Sequence, residues 1–112
     1  MKNLNQIKKR YLKEPFDRKI GHLASDLARI STFIENSFNE KAVMDILAES
    51  EFFIEWTAPE APLNVKAFLA ELQIQLALWH LVWPQVDADP QQCKKLGQLS
   101  RTWSQDVLML RE

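Results

Sequence analysis

Proline occupies five positions in this 112-residue chain, Pro15, Pro59, Pro62, Pro84 and Pro90, and glycine occupies two. A proline inside a helix removes a backbone donor and clashes with the preceding turn, so these positions mark where long helices must stop or begin. The segments between them are free of breakers, a pattern that favours a few long helices over many short strands and turns. The expected fold class is all-α.

Apolar periodicity fills in the segments. Leu4, Ile7, Tyr11 and Leu12 recur at helical spacing within residues 3–13, which predicts a short amphipathic helix before Pro15. Phe16, Ile20, Leu23, Leu27, Ile30 and Ile34 follow at steps of four and three, the stripe of a helix buried on one side that ends near Asn36. Ser37 and Asn39 are cap candidates for the next helix, Ser37 with capping-box spacing to Glu40. That helix runs to about Trp56 with Val43, Ile46, Leu47, Ser50, Phe53 and Ile54 inward, and Phe52 and Trp56 on the opposite side beside Asp45 and Glu49. After the break "TAPEAP", a fourth helix runs to about Trp83 and is ended by Pro84. Asp89 caps a last helix that starts at Pro90 and places Cys93, Leu96, Ser100, Trp103, Val107 and Leu110 on one stripe, with Gly97, Ser100 and Ser104 as a small-residue strip beside it.

Four main helices of similar length with short connections predict an antiparallel up-down-up-down four-helix bundle, with the short N-terminal amphipathic helix as an addition. Residues 1–14 read as a basic N-terminal segment and residues 15–112 as one bundle domain, since this length supports one core.

The segment "LALWHLVWPQ", Leu76 to Gln85, concentrates Trp79, His80 and Trp83. Projected on a helix, Val65, Phe68, Leu69, Leu72, Leu76, Trp79 and Trp83 share one face, so both tryptophans read as core. Leu63, Ala67, Ala70, Ile74, Ala77, Leu78 and Leu81 form a second apolar face on the other side. His80 lies on neither and lines up with Lys66 and Gln73 on a polar seam, which makes it a boundary residue and not a catalytic one. A second apolar face must be buried by a central position, by the N-terminal segment or by another subunit.

The net charge of −1 selects no polyanionic partner, but it conceals an asymmetry. Residues 1–19 carry +5 and residues 35–60 carry −6. The two runs are either solvated faces or surfaces that dock on each other, within one chain or between two. The basic end has one aromatic residue, Tyr11, and no nucleic-acid module, so nucleic acid is not an expected partner. No stretch has the length or apolarity of a membrane span or secretory leader, and the lone Cys93 gives neither a disulfide nor metal-ligand spacing; a cytoplasmic location is expected.

Catalytic signals are weak. His22 and Asp26 stand four apart, a spacing at which a carboxylate can orient an imidazole, but a solvated pair is the simpler reading. With two histidines and no Glu-x-x-His arrangement, no metal or cofactor is expected. Cys93 reads as a packed thiol, and neither a phosphate-binding glycine loop nor a serine elbow is present.

The runs "GHLASDLARISTFIENS", "EFFIEWTAPEAP", "ELQIQLALWHLVW" and "RTWSQDVL" resemble a family of small helical proteins of cyanobacteria over most of residues 20–110. The resemblance contains no chemical motif; it implies a source and nothing about mechanism. The expected function is therefore non-enzymatic and based on protein–protein contact, by a homodimer or another protein partner, with Phe52, Trp56, Tyr11, Ile74, Leu78 and Leu81 as its surface. Phe52 and Trp56 fit either an interface anchor or a site covered by the N-terminal segment. The alternative is a bundle that holds a small apolar ligand or pigment among Trp79, Trp83 and Trp103.

Overall fold

The computed structural model describes residues 3–36 and 39–111, and among these every regular element is helical. The order is α1 (Leu4–Lys13), α2 (Phe16–Asn36), α3 (Glu40–Thr57), a 3-10 turn (Ala58–Glu60), α4 (Leu63–Leu81), α5 (Trp83–Asp87) and α6 (Pro90–Leu108). Caps stand at two of the expected places, Asn39 and Asp89, and at one more, Asn3. The Asn3 side chain accepts from the Gln6 amide, Asn39 from that of Ala42 at 3.1 Å, and Asp89 from those of Gln91 and Gln92. Asn3 sits in the left-handed region at φ 49°, a conformation asparagine tolerates better than most residues. The Ser37 cap lies outside the described residues.

One boundary differs from expectation. The fourth helix stops at Leu81, two residues earlier than its apolar pattern suggests, and Pro84 lies in the first turn of α5. The proline ring forbids continuation of the ladder from His80, and its fixed φ suits the start of a helix, so the chain breaks at Val82 and re-enters helix at once.

Helix α2 is the centre of the packing, with α6 on one side and α3 on the other, and α4 lies against α3. Its stripe of Ile20, Leu23, Leu27 and Ile30 is fully buried. The small-residue strip of α6 faces α2: Ser104 Oγ donates to the Ala24 carbonyl at 2.7 Å, and a Cβ on Gly97 would stand 3.4 Å from Ile34 Cγ2. Ser100, fully buried, returns its hydroxyl proton to the Leu96 carbonyl at 2.7 Å. Small side chains are thus what lets these two helices approach closely.

The N-terminal helix folds back on α3 of its own chain. Tyr11, 4% exposed, stacks on Phe53 with centroids 4.2 Å apart and tilts against Trp56 at 5.8 Å. Its hydroxyl meets Thr57 Oγ1 at 2.5 Å, and Thr57 Oγ1 donates to the Phe53 carbonyl at 2.7 Å. The Tyr11 hydroxyl also donates to the Lys19 carbonyl at 3.1 Å, so it has hydrogen-bond partners on both α2 and α3. Burial pushes the tyrosine pKa up and keeps the phenol neutral. Nearby, Lys8 stands 6.0 Å over the Trp56 ring and the buried Lys19 ammonium reaches Glu60 at 2.9 Å. The basic segment and its acidic counterpart therefore meet within one chain.

Tyr11→Phe should lower stability by about 1–2 kcal/mol through the lost hydroxyl bond. Tyr11→Ala should cost about 3–5 kcal/mol by emptying a large core position. Urea unfolding of the two variants against the parent checks both values.

Candidate interaction surface

Helix α4 has apolar side chains all round, so its rotation about its axis decides which of them reach solvent. Val65, Leu69, Leu72 and Leu76 are buried against the core. The polar seam supplies the rotational lock. Gln73 Nε2 donates to the Glu51 carbonyl at 3.0 Å, and His80 Nδ1 stands 2.7 Å from the Glu51 carboxylate. A carboxylate only accepts, so Nδ1 carries the proton in this contact. His80 is a boundary residue as expected, but it has an acid partner that spacing along its own helix does not reveal.

With the seam held on α3, the second apolar face turns outward. Leu63 is 83% exposed, Ile74 58%, Leu78 52% and Leu81 76%; Ala67, Ala70 and Ala77 between them are exposed as well. The N-terminal helix does not cover this face, because α1 lies on α3. A shallow groove of about 520 Å³, lined by Ile54, Ala58, Pro59 and Ala70, runs along the Lys66 side. On the Glu71 side a recess of about 230 Å³ lies between Phe68, Leu72 and Trp103. A contiguous apolar ridge with polar margins is the usual mark of a docking surface.

The expected partner surface thus divides in two. Ile74, Leu78 and Leu81 are on the exposed ridge. Tyr11 and Trp56 are not surface residues: Trp56 is 8% exposed, stacks with the half-buried Phe52 at 5.6 Å and is covered by Tyr11. Aromatic rings on the acidic side of α3 gain more from burial under α1 than the short α1 could gain alone in water.

The tryptophans also separate. Trp83 is buried, whereas Trp79 and Trp103 are half-buried, and neither Trp79 nor Trp83 lines the recess beside Trp103. Position on the core face did not guarantee burial for Trp79. Cys93 is packed, with its thiol donating to the Val86 carbonyl at 3.1 Å; burial and then Asp87 and Asp89 push its pKa up.

His22 and Asp26 do not pair. His22 is half exposed and faces Glu14 at 3.8 Å. Asp26 points inward, 4% exposed, with Oδ1 3.4 Å from Arg29 Nη1. Its Oδ2 meets no donor, and the carboxyl lies within hydrogen-bond reach of Glu49 on α3. Two carboxylates cannot bond unless one holds a proton. Burial first, and then Glu49, raise the Asp26 pKa from 3.8 to about 8, against a smaller lowering by Arg29. Beside it a recess of about 300 Å³ lies under Ile7, between Arg29, Phe33 and Asp45. This carboxyl pair was absent from the sequence reading, although Asp26 stands three after Leu23 and four before Ile30, on the edge of the buried stripe. Among the described residues no group of three or more acidic, histidine or cysteine side chains could hold a metal ion, and no helix is long and apolar enough to cross a membrane.

Comparisons with protein-family models, with curated proteins and with solved structures give no match to this chain.

A carboxyl that keeps its proton when folded and loses it when unfolded makes the folded state less stable as pH rises from about 4 towards 8. Asp26→Asn removes that titration while keeping a donor towards Glu49. Melting curves should therefore coincide for variant and parent near pH 4, and the variant should melt progressively higher than the parent on going to pH 8. A gap that stays constant with pH would show that Asp26 is not protonated in the fold.

Proposed function

We propose that this protein is a non-enzymatic, cytoplasmic scaffold, an antiparallel up-down bundle of its four long helices, that works through protein–protein contact on the outer face of α4. The observation that carries the reading is the uncovered ridge Leu63, Ile74, Leu78 and Leu81 on a helix whose opposite face is already committed to the core. Isolated exposed leucines are ordinary on soluble domains, but a full apolar stripe along a helix of five turns is not. A ridge of this shape fits the apolar face of another amphipathic helix. Resemblance to small helical proteins of cyanobacteria supplies no activity, so the reading rests on this face.

Binding of a small apolar ligand among Trp79, Trp83 and Trp103 is the weaker reading. The recess beside Trp103 measures about 230 Å³, below the roughly 300–1,000 Å³ of ordinary ligand pockets. A larger hollow of about 490 Å³ between Ile34, Pro90 and Cys93 is lined by none of the three.

Replacing Ile74 and Leu81 together by Gln tests the docking role, since glutamine is a good helix former. The double variant should stay within about 1 kcal/mol of the parent in urea unfolding, as exposed positions do. It should also lose most of the fluorescence of a bound anilinonaphthalene sulfonate dye. A loss of about 3 kcal/mol or more would place this face inside the fold and remove the reading.

A further inference from the structure

The exposed stripe of α4 has a regular period. Leu63, Ala67, Ala70, Ile74, Ala77 and Leu81 follow at alternating steps of four and three residues, the spacing of the a and d positions of a coiled-coil seam. Lys66 and Glu71 stand on the two opposite margins of the stripe, both exposed, and neither makes an ion pair with a described residue. In seam terms Ala67, Ile74 and Leu81 take the a positions and Leu63, Ala70 and Ala77 the d positions. Lys66 then falls at g and Glu71 at the following e.

We propose that the occupant of this face is a second copy of the same chain, with the two α4 helices packed parallel and in register about a two-fold axis. The inference rests on the docking reading above and adds the partner and its orientation. Charge selects both. In a parallel pair each g residue faces the e residue five positions on in the other chain, so Lys66 meets the partner's Glu71 and Glu71 meets the partner's Lys66. Antiparallel packing would instead set Glu71 against the partner's Glu71 and Lys66 against the partner's His80. The alanines at three of the six seam positions let the helix axes come close, and Leu63, Ile74 and Leu81 supply the larger contacts at the ends and middle. A seam of 19 residues is about 28 Å long, and one helix pair of that length lies at the small end of stable interfaces. The dimer is accordingly reversible, with a dissociation constant on the order of 10–100 μM.

Sedimentation equilibrium of the full chain over about 5–500 μM at low salt tests this, because the range brackets that constant. The parent should pass from monomer to dimer. Ile74→Lys, which sets two ammonium groups against each other in the seam, should remain monomeric throughout with an unchanged circular dichroism spectrum. Lys66→Glu turns two attractive pairs into two repulsive ones and should weaken association about tenfold. Lys66→Glu with Glu71→Lys should restore it. A parent that is monomeric at about 500 μM overturns the second-copy inference, yet leaves the docking reading standing if the face still binds the dye. Association that is not weakened by Lys66→Glu and is tightened by Glu71→Gln, which relieves a Glu71–Glu71 repulsion, would establish antiparallel packing and overturn the proposed register. Both charge variants change exposed residues, so their readout does not depend on the fate of Ile74→Lys.

Discussion

The close approach of α6 to α2 is the contact on which the other elements depend. A helix pair separated by large side chains has its positions set by their packing alone, but here Gly97, Ser100 and Ser104 bring the two backbones near enough for Ser104 to bond the Ala24 carbonyl. That bond fixes the register of α6 along α2. With one side of α2 occupied in this way, Leu23, Leu27 and Ile30 form a floor to which α3 can dock. The Arg101 guanidinium, bonded to both oxygens of Glu35 at 2.7 and 2.8 Å, adds an exposed tie between α6 and α2 whose worth is small beside the apolar burial.

Polar anchors then orient what the apolar contacts leave free. Helix α1 is too short to be stable alone, and its place on α3 depends on the Tyr11 ring between Phe53 and Trp56 and on the bonds its hydroxyl makes with Thr57 and the Lys19 carbonyl. Helix α4, apolar on two sides, buries the side with the bulkier residues, Val65, Leu69, Leu72 and Leu76. Glu51 secures that orientation through its bonds to Gln73 and His80. The same side chains that look functional in isolation, a histidine beside tryptophans and a glutamate within reach, are structural here, and their consequence is the exposed ridge on the far side of the helix.

The buried Asp26 carboxyl, beside the half-buried Glu49, carries an electrostatic cost. Arg29 offsets it only in part, being half exposed itself. A carboxyl held protonated between two helices ties α2 to α3 most firmly when the proton is present, so the α2–α3 contact is weakest where that proton is lost.

Sequence by itself determined the all-α class, because prolines at the element boundaries and unbroken 3.6-residue stripes between them leave the backbone no other regular way to satisfy its hydrogen bonds. It also determined the buried stripe of α2, the caps at Asn39 and Asp89, and the small-residue strip of α6, each of which is a local pattern with a local cause. Only the tertiary structure decided the fate of groups whose partners are distant in the chain. Glu51 and His80 are 29 residues apart, and Tyr11 and Thr57 are 46 apart; no spacing rule joins them. The aromatic side of α3 was legible as sticky, but whether α1 of the same chain or another molecule would cover it depended on where α1 could reach once Pro15 turned the chain. Likewise the two faces of α4 were both legible as apolar, and their burial or exposure was a question of rotation, set by which face meets the core and by the bonds of the polar seam to Glu51.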